Sequence, residues 1–220
     1  MLKNEFIFGR NSYSLIFRVD SRFGNKYMVD INEATNVSDA VYSRITVRAY
    51  LDKAVDPTLL RTLFDKARRA PSGGNLQPWR AHVMTGEILN AFRDEAYEKT
   101  INSVDEGATH PAYPKPLWEP QRSWRYKVGE DMYGLLGIAR DNKPGRLKWV
   151  ADNSRFFDAP VGVVITGNKA LGMPQHMDIG IYLQTLMLLA REVGLHTTPQ
   201  GWWRGWSKTC LLYTSDAADD

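Results

Sequence analysis

The chain has 220 residues, 43% hydrophobic and 24% charged, with seven Trp and ten Tyr, enough apolar mass for one sizeable core. Its formal charge of +3 lies wholly in residues 1–27, where Lys3, Arg10, Arg18, Arg22 and Lys26 outnumber Glu5 and Asp20; the balanced remainder argues against a nucleic-acid partner. No apolar run approaches the roughly 18 residues of a membrane span, and the single cysteine, Cys210, excludes an internal disulfide framework and points to a reducing, cytoplasmic setting.

Residues 1–35 read as an amino-terminal extension. The stretch up to Tyr27 has no period of two or 3.6 residues, and Glu5, Gly9, Asp20 and Gly24 interrupt any targeting helix, while Met28 opens a stretch that reads like an ordinary start. From Asn36 the pattern is orderly. Ser38 or Asp39 is the expected N-cap of a short helix in VSDAVYSR. Asp56 and Pro57 then cap and open a helix carrying Leu59, Leu60, Leu63, Phe64, Ala67 and Ala70 at three- and four-residue spacing, ended by Pro71. RAHVMTG alternates as a strand, and a helix is expected from Glu87 to about Ile101. Residues 107–125, crowded with proline and aromatics, read as a lid or binding loop. Val128, Met132, Leu135, Leu136 and Ala139 resume a helical pattern, and APVGVVITG is a buried strand. The helix MDIGIYLQTLMLLAREVGL is apolar on nearly every face and ends at Gly194, so it must be buried in the core or against a second subunit. Helices dominate, with strands pairing from a distance. The class is α+β.

Three stretches carry candidate chemistry. In SRITVRAY, Arg44 and Arg48 share a face whether the segment is helical or extended, and Thr46 joins them if it is extended. Two guanidiniums and a hydroxyl suit a phosphate, although a solvated basic edge accounts for these residues equally simply. In APSGGNLQPW, Pro71 is followed by Ser72, Asn75 and Gln77, a hydroxyl and two amides able to meet the edge of a heteroaromatic ring, with Gly73 and Gly74 allowing close backbone approach; an Asn/Gly turn is the plainer alternative. HTTPQGWW places Pro199, Gln200 and Gly201 at the end of the apolar helix, where a connecting loop is the default. The four histidines, His82, His110, His176 and His196, lack metal-ligand spacing.

In order and spacing these stretches together resemble the FMN-dependent nitroreductase family, over about residues 38–206, and most nearly its 4-nitrobenzoate-type subgroup, which carries a similar YGLLGIAR helix and proline-rich excursion. The resemblance implies a nitroreductase-like α+β fold, helices around a small central sheet, with a long buried helix forming a homodimer and FMN at the subunit interface. It implies that Arg44, Ile45, Thr46 and Arg48 hold phosphate and ribitol, that Pro71, Ser72, Asn75 and Gln77 contact ribitol and ring, and that Pro199, Gln200 and Gly201 lie along the isoalloxazine. NAD(P)H would be the hydride donor and a small nitroaromatic or quinone the acceptor. No side chain is assigned as catalytic acid or base, because the flavin carries that chemistry. Arg122 or Arg125 could attract an acidic aromatic, with surface solvation the simpler role.

The family pattern continues with further strand structure and a basic pair at the phosphate, where this chain runs into WSKTCLLYTSDAADD. The expectation is therefore a domain over residues 36–209, incomplete at its carboxyl end and weakened in FMN retention, followed by a tail at 210–220 that resembles a read-through artefact. A flavin-binding protein without turnover is the alternative. A basic interaction module built on Arg44, Arg48, Arg61, Arg68 and Arg69 is disfavoured by the neutral body.

Overall fold

A computed structural model describes residues 32–108 and 111–214; the expectations placed on residues 1–31, on His110 and on residues 215–220 lie outside the described residues. The first helix, α1 (Val37–Ser43), is capped by Asn36, whose side-chain oxygen accepts the Asp39 amide at 2.9 Å. The expected caps Ser38 and Asp39 are thus corrected by one turn-forming amide upstream. Helix α2 (Pro57–Ala67) starts as its sequence requires, with Asp56 accepting the Thr58 amide at 2.8 Å, a cap contributing about 0.5–2 kcal/mol. It ends at Ala67, short of Pro71.

Strand β1 (Arg80–Thr85) pairs antiparallel with β2 (Val161–Thr166), Arg80 opposite Thr166 and Thr85 opposite Val161. Between them lie α3 (Gly86–Ile101), α4 (Gln121–Leu135) and α5 (Lys143–Ala151). The expected loop at 107–125 is corrected at its end, where Gln121–Arg125 are already helical, and α5 was not anticipated. The helix expected through Val128, Met132, Leu135, Leu136 and Ala139 is present as α4 but ends at Leu135; α4 buries no residue and α5 only Ala151, so little burial marks the start of the one or the presence of the other. Among the described residues no helix is long and apolar enough to cross a membrane.

Helix α6 (Met173–Glu192) begins four residues before the expected Met177, and Gly194 follows it in the left-handed conformation (φ 73°) that a helix-ending glycine supplies. Its inward side joins α2: Leu63, Ala67, Trp79, Tyr182, Leu186 and Ala190 form one core. Trp79 and Tyr182 stack with centroids 4.7 Å apart and planes 11° from parallel. The outward side stays exposed at Met173, Met177 and Ile181, so within one chain the helix is only half covered.

A second core gathers Met84, Leu89, Phe92, Phe156, Val164, Trp206 and Cys210. Gly162 lets α3 close on the sheet, since a Cβ there would stand 2.5 Å from Leu89 Cδ1 and 3.2 Å from Phe156 Cε2. The last described helix, α7 (Ser207–Thr214), was not expected at all, and it closes this core with buried Thr209 and Cys210. Glu106 holds it. One carboxylate oxygen accepts the amides of Lys208 and Thr209 at 2.9 and 3.0 Å, and the other accepts the Thr209 hydroxyl and Lys99 Nζ.

Burial raises the Glu106 pKa, but the Thr209 and Lys99 contacts outweigh it and leave the carboxyl below its usual range. A carboxylate lowered on folding stabilises the docked helix above its unfolded pKa and ceases to do so as pH falls through the folded value. Burial, with Glu106 adding to it, pushes the Cys210 thiol up to about 11. In Glu106→Gln, which leaves weaker contacts in place of hydrogen bonds to a charged group (about 1.5–3 kcal/mol), Cys210 should react with a neutral-pH thiol reagent roughly ten- to a hundredfold faster. Acidifying the unmodified chain below the ordinary carboxylate range should expose α7 similarly, which hydrogen exchange over residues 207–214 would read.

Candidate functional site

Arg44 leaves α1 with extended backbone (φ −71°, ψ 115°), and two residues on Thr46 forms a parallel bridge with Thr197. Extended backbone at Arg44 and the bridge at Thr46 fit the extended alternative, in which Arg44, Thr46 and Arg48 share a side. Thr198 reinforces the pairing: its hydroxyl donates to the Val47 carbonyl, and it shares a 2.8 Å hydrogen bond with the Tyr50 hydroxyl. Burial lifts the Tyr50 pKa to about 12, so it stays a phenol. The first and third predicted stretches therefore meet in one place.

This place favours an anion. Among the described residues the Arg44 side chain has neither a hydrogen bond nor an ion pair. Arg48 lies over the Phe157 ring at 5.8 Å. Desolvation lowers the Arg48 pKa and Tyr50 opposes it, yet a guanidinium remains charged. Phe157 sits in a run of three left-handed residues, Phe156, Phe157 and Asp158, at φ 52°, 53° and 59°. Each costs about 1–3 kcal/mol and persists because both rings are buried, Phe157 against Trp149. Beside the bridge, the buried Thr197 hydroxyl lacks a hydrogen-bond partner. An oxygen-rich ligand would supply one.

The turn at Pro199–Gly201 offers backbone more than side chain. Gln200 Nε2 donates to the carbonyl and side-chain oxygens of Asn153 at 3.0 and 3.2 Å, and its Oε1 accepts Trp203 Nε1 at 3.0 Å. With that amide engaged, Pro199 and Gly201 present the exposed surface.

The second stretch lies elsewhere. Gly73 donates its amide to Asp178 Oδ2 at 3.2 Å, near the start of α6. Gly74, Asn75 and Gln77 are all left-handed, at φ 59°, 56° and 44°. Ser72 Oγ accepts the Gln77 amide at 3.0 Å, and Gln77 Nε2 donates to Asn75 Oδ1 at 3.1 Å. These bonds hold the bend and leave the Asn75 amino group and the Gln77 carbonyl exposed as one donor and one acceptor. The loop borders an open cleft of about 540 Å³ lined by Leu60, Phe64, Gln77, Trp79, Val83 and Tyr182. Along α6, Asp178 and Arg191 are separated by about 20 Å at 1.5 Å per residue, and Arg191 contacts the Ser43 and His196 side chains. The two halves of the predicted site thus stand at opposite ends of one helix.

Sequence reasoning missed Asp178, Asn153 and Arg191, which hold the three stretches. The available signal was one Asp and one Arg inside the most apolar helix. Of the histidines, His82 meets Thr166 at 3.0 Å and His176 meets the Gly172 carbonyl at 2.8 Å. Arg122 pairs with Glu119 at 2.6 Å, and Arg125 lies over Tyr113 at 4.3 Å.

The model of a family described as the nitroreductase family matches residues 41–209. The chain is 40% identical over 171 residues to the 4-nitrobenzoate reductase of Pseudomonas putida, covering 76% of this chain and 73% of that one. It is 34% identical over 173 residues to the chloronitrobenzene nitroreductase of Comamonas testosteroni, covering 76% and 74%. Among solved structures, the FMN and NADPH-dependent nitroreductase NfnB of sphigopyxis sp. strain HMH superposes with a TM-score of 0.76 at 43% identity, covering 81% of this chain and 80% of that one. The FMN-dependent NfnB of Mycobacterium smegmatis, solved with NADPH, gives 0.76 at 25% identity, covering 81% and 82%.

The Asp178 anchor makes a local prediction. Asp178→Ala removes a hydrogen bond to a charged acceptor, about 1.5–3 kcal/mol, so amide exchange at residues 72–77 should accelerate at least tenfold while β1 and β2 keep their protection.

Proposed function

This chain belongs to the nitroreductase family, and on that footing we propose that it is an FMN-dependent oxidoreductase passing hydride equivalents from NAD(P)H to nitroaromatic or quinone-like acceptors. The observation that carries the cofactor half is the Thr46–Thr197 pairing, which sets the unpartnered Arg44 and the ring-backed Arg48 beside an orphaned hydroxyl. Arg44, Thr46 and Arg48 would hold the phosphate, and the exposed Ile45 would contact the ribitol through its backbone. Pro199 and Gly201 would flank the ring, and Gln200 would fix their turn through Asn153. When bound, FMN would supply the two-electron carrier between the nicotinamide donor and the acceptor.

The loop Pro71–Gln77 would serve the ring edge through the Asn75 amino group and the Gln77 carbonyl. At about 20 Å along α6 from the phosphate half, it serves the site of a second copy more readily than its own. That separation supports a homodimer with cofactor sites shared between chains. The exposed Met173, Met177 and Ile181 face of α6, with Val37 and Val41 on neighbouring α1, offers the apolar surface such an assembly covers. A cytoplasmic setting, where Cys210 remains a thiol, fits the nicotinamide donor.

The test is anaerobic. The purified chain loaded with FMN should be bleached by NADPH or NADH and recover its colour on addition of 4-nitrobenzoate. Retained FMN with no bleaching by either nucleotide would reduce the chain to a flavin-binding protein. Arg44→Ala and Arg48→Ala should each weaken FMN binding roughly ten- to a hundredfold, since each removes a charge-assisted hydrogen bond of about 1.5–3 kcal/mol.

A further inference from the structure

Arg191 is the largest fully buried side chain, 1% exposed, inside an otherwise apolar stretch of α6. Its guanidinium reaches three separate segments. Nε donates to Ser43 Oγ at 3.1 Å, Nη1 to His196 Nε2 at 2.9 Å and to the Leu195 carbonyl at 3.4 Å, and Nη2 to the Asn32 carbonyl at 2.5 Å. Its own carbonyl accepts the Ala34 amide at 2.9 Å. A guanidinium only donates, so His196 must present an unprotonated Nε2 to it.

The contacted residues share one property. Ser43 immediately precedes Arg44, and His196 immediately precedes Thr197, the bridge partner of Thr46. One planar fork therefore ties both strands of the anion half just before they pair, three residues ahead of Thr46 on one and one ahead of Thr197 on the other. Five donors in fixed geometry set the spacing and register of two chain segments at once, which a lysine cannot reproduce.

We propose that Arg191 is the positioning residue of the phosphate end, setting the register of the 43–48 and 195–198 segments. The proposal rests on the reading of those segments as the FMN phosphate site. A plain structural staple predicts something different. It would lower stability without distinguishing ligands that carry a phosphate from those that lack it.

The experiment compares FMN with riboflavin, which shares ring and ribitol but has no phosphate, by quenching of flavin fluorescence on the full chain. The unmodified protein should prefer FMN by at least tenfold; no preference would overturn the phosphate reading and this inference with it. Given that preference, Arg191→Met and Arg191→Lys should each cut the FMN-to-riboflavin affinity ratio, Met about tenfold or more and Lys less, because Lys keeps hydrogen-bond donors and loses their fixed fork. Ser43→Ala, which removes one leg of the fork and no charge, should lower the ratio about threefold with the melting temperature little changed. An unaltered ratio in Ser43→Ala and in whichever Arg191 variants fold, even alongside reduced stability, would leave the phosphate reading intact and overturn the role given to Arg191.

Discussion

Two ionic side chains at opposite ends of one apolar helix determine where the candidate site can be. Asp178 and Arg191 are both buried on α6, at 8% and 1% exposure, where an unsatisfied charge would cost several kcal/mol. Each is satisfied by loops rather than by the helix. Asp178 takes the Gly73 amide, and Arg191 takes Ser43, His196 and the carbonyls of Asn32 and Leu195. The requirement to pair these groups therefore fixes the loops, and the stiffness of the helix fixes the loops relative to each other. Packing of Tyr182, Leu186 and Ala190 against α2 sets the helix itself.

Backbone strain falls where the loops are most constrained. Asn75 and Gln77 are left-handed in one bend, and Phe156, Phe157 and Asp158 in another. Neither bend uses glycine at these positions, so each depends on its surroundings: internal hydrogen bonds and the Asp178 anchor in the first, buried aromatic rings in the second. The result in both is a side chain or amide held at a set angle. Arg48 rests on Phe157, and the Asn75–Gln77 pair presents one donor beside one acceptor. Preorganised groups of this kind lose less freedom when a ligand arrives.

Much of the fold was legible because periodicity follows burial. Helix α2, β2 and α6 each bury residues at regular intervals and were anticipated, β1 was read from its alternation although it buries only Met84, and Asp56 caps α2 as its sequence required. Helix α4 was legible only over its later part, from Val128, and α5, which buries only Ala151, left no such trace. The short α7 depends on Glu106, a residue about a hundred positions away in sequence, and no local pattern announces a cap of that kind. The same distance problem limited the candidate site. Chemistry-bearing residue types could be read in order, but Gln200 turns its amide to Asn153 and Trp203, a contact only the folded chain creates. A solitary Asp and a solitary Arg within a nearly uniform apolar helix were the one overlooked signal, because a buried charge has to be held by something.

The geometry also bears on how cofactor and assembly relate in the proposed function. A rigid helix that keeps the phosphate half and the ring-edge loop about 20 Å apart cannot bring them to one molecule of ligand by local motion. In the homodimer proposed above, a second copy turned about a two-fold axis would do so, with the exposed apolar face of α6 as its interface. On this reading the cofactor binds the pair and not the single chain, so ligand and association stabilise each other by mass action. The left-handed bend at Asn75 and Gln77 then has its purpose outside its own chain: it is a shape whose complement is the neighbour.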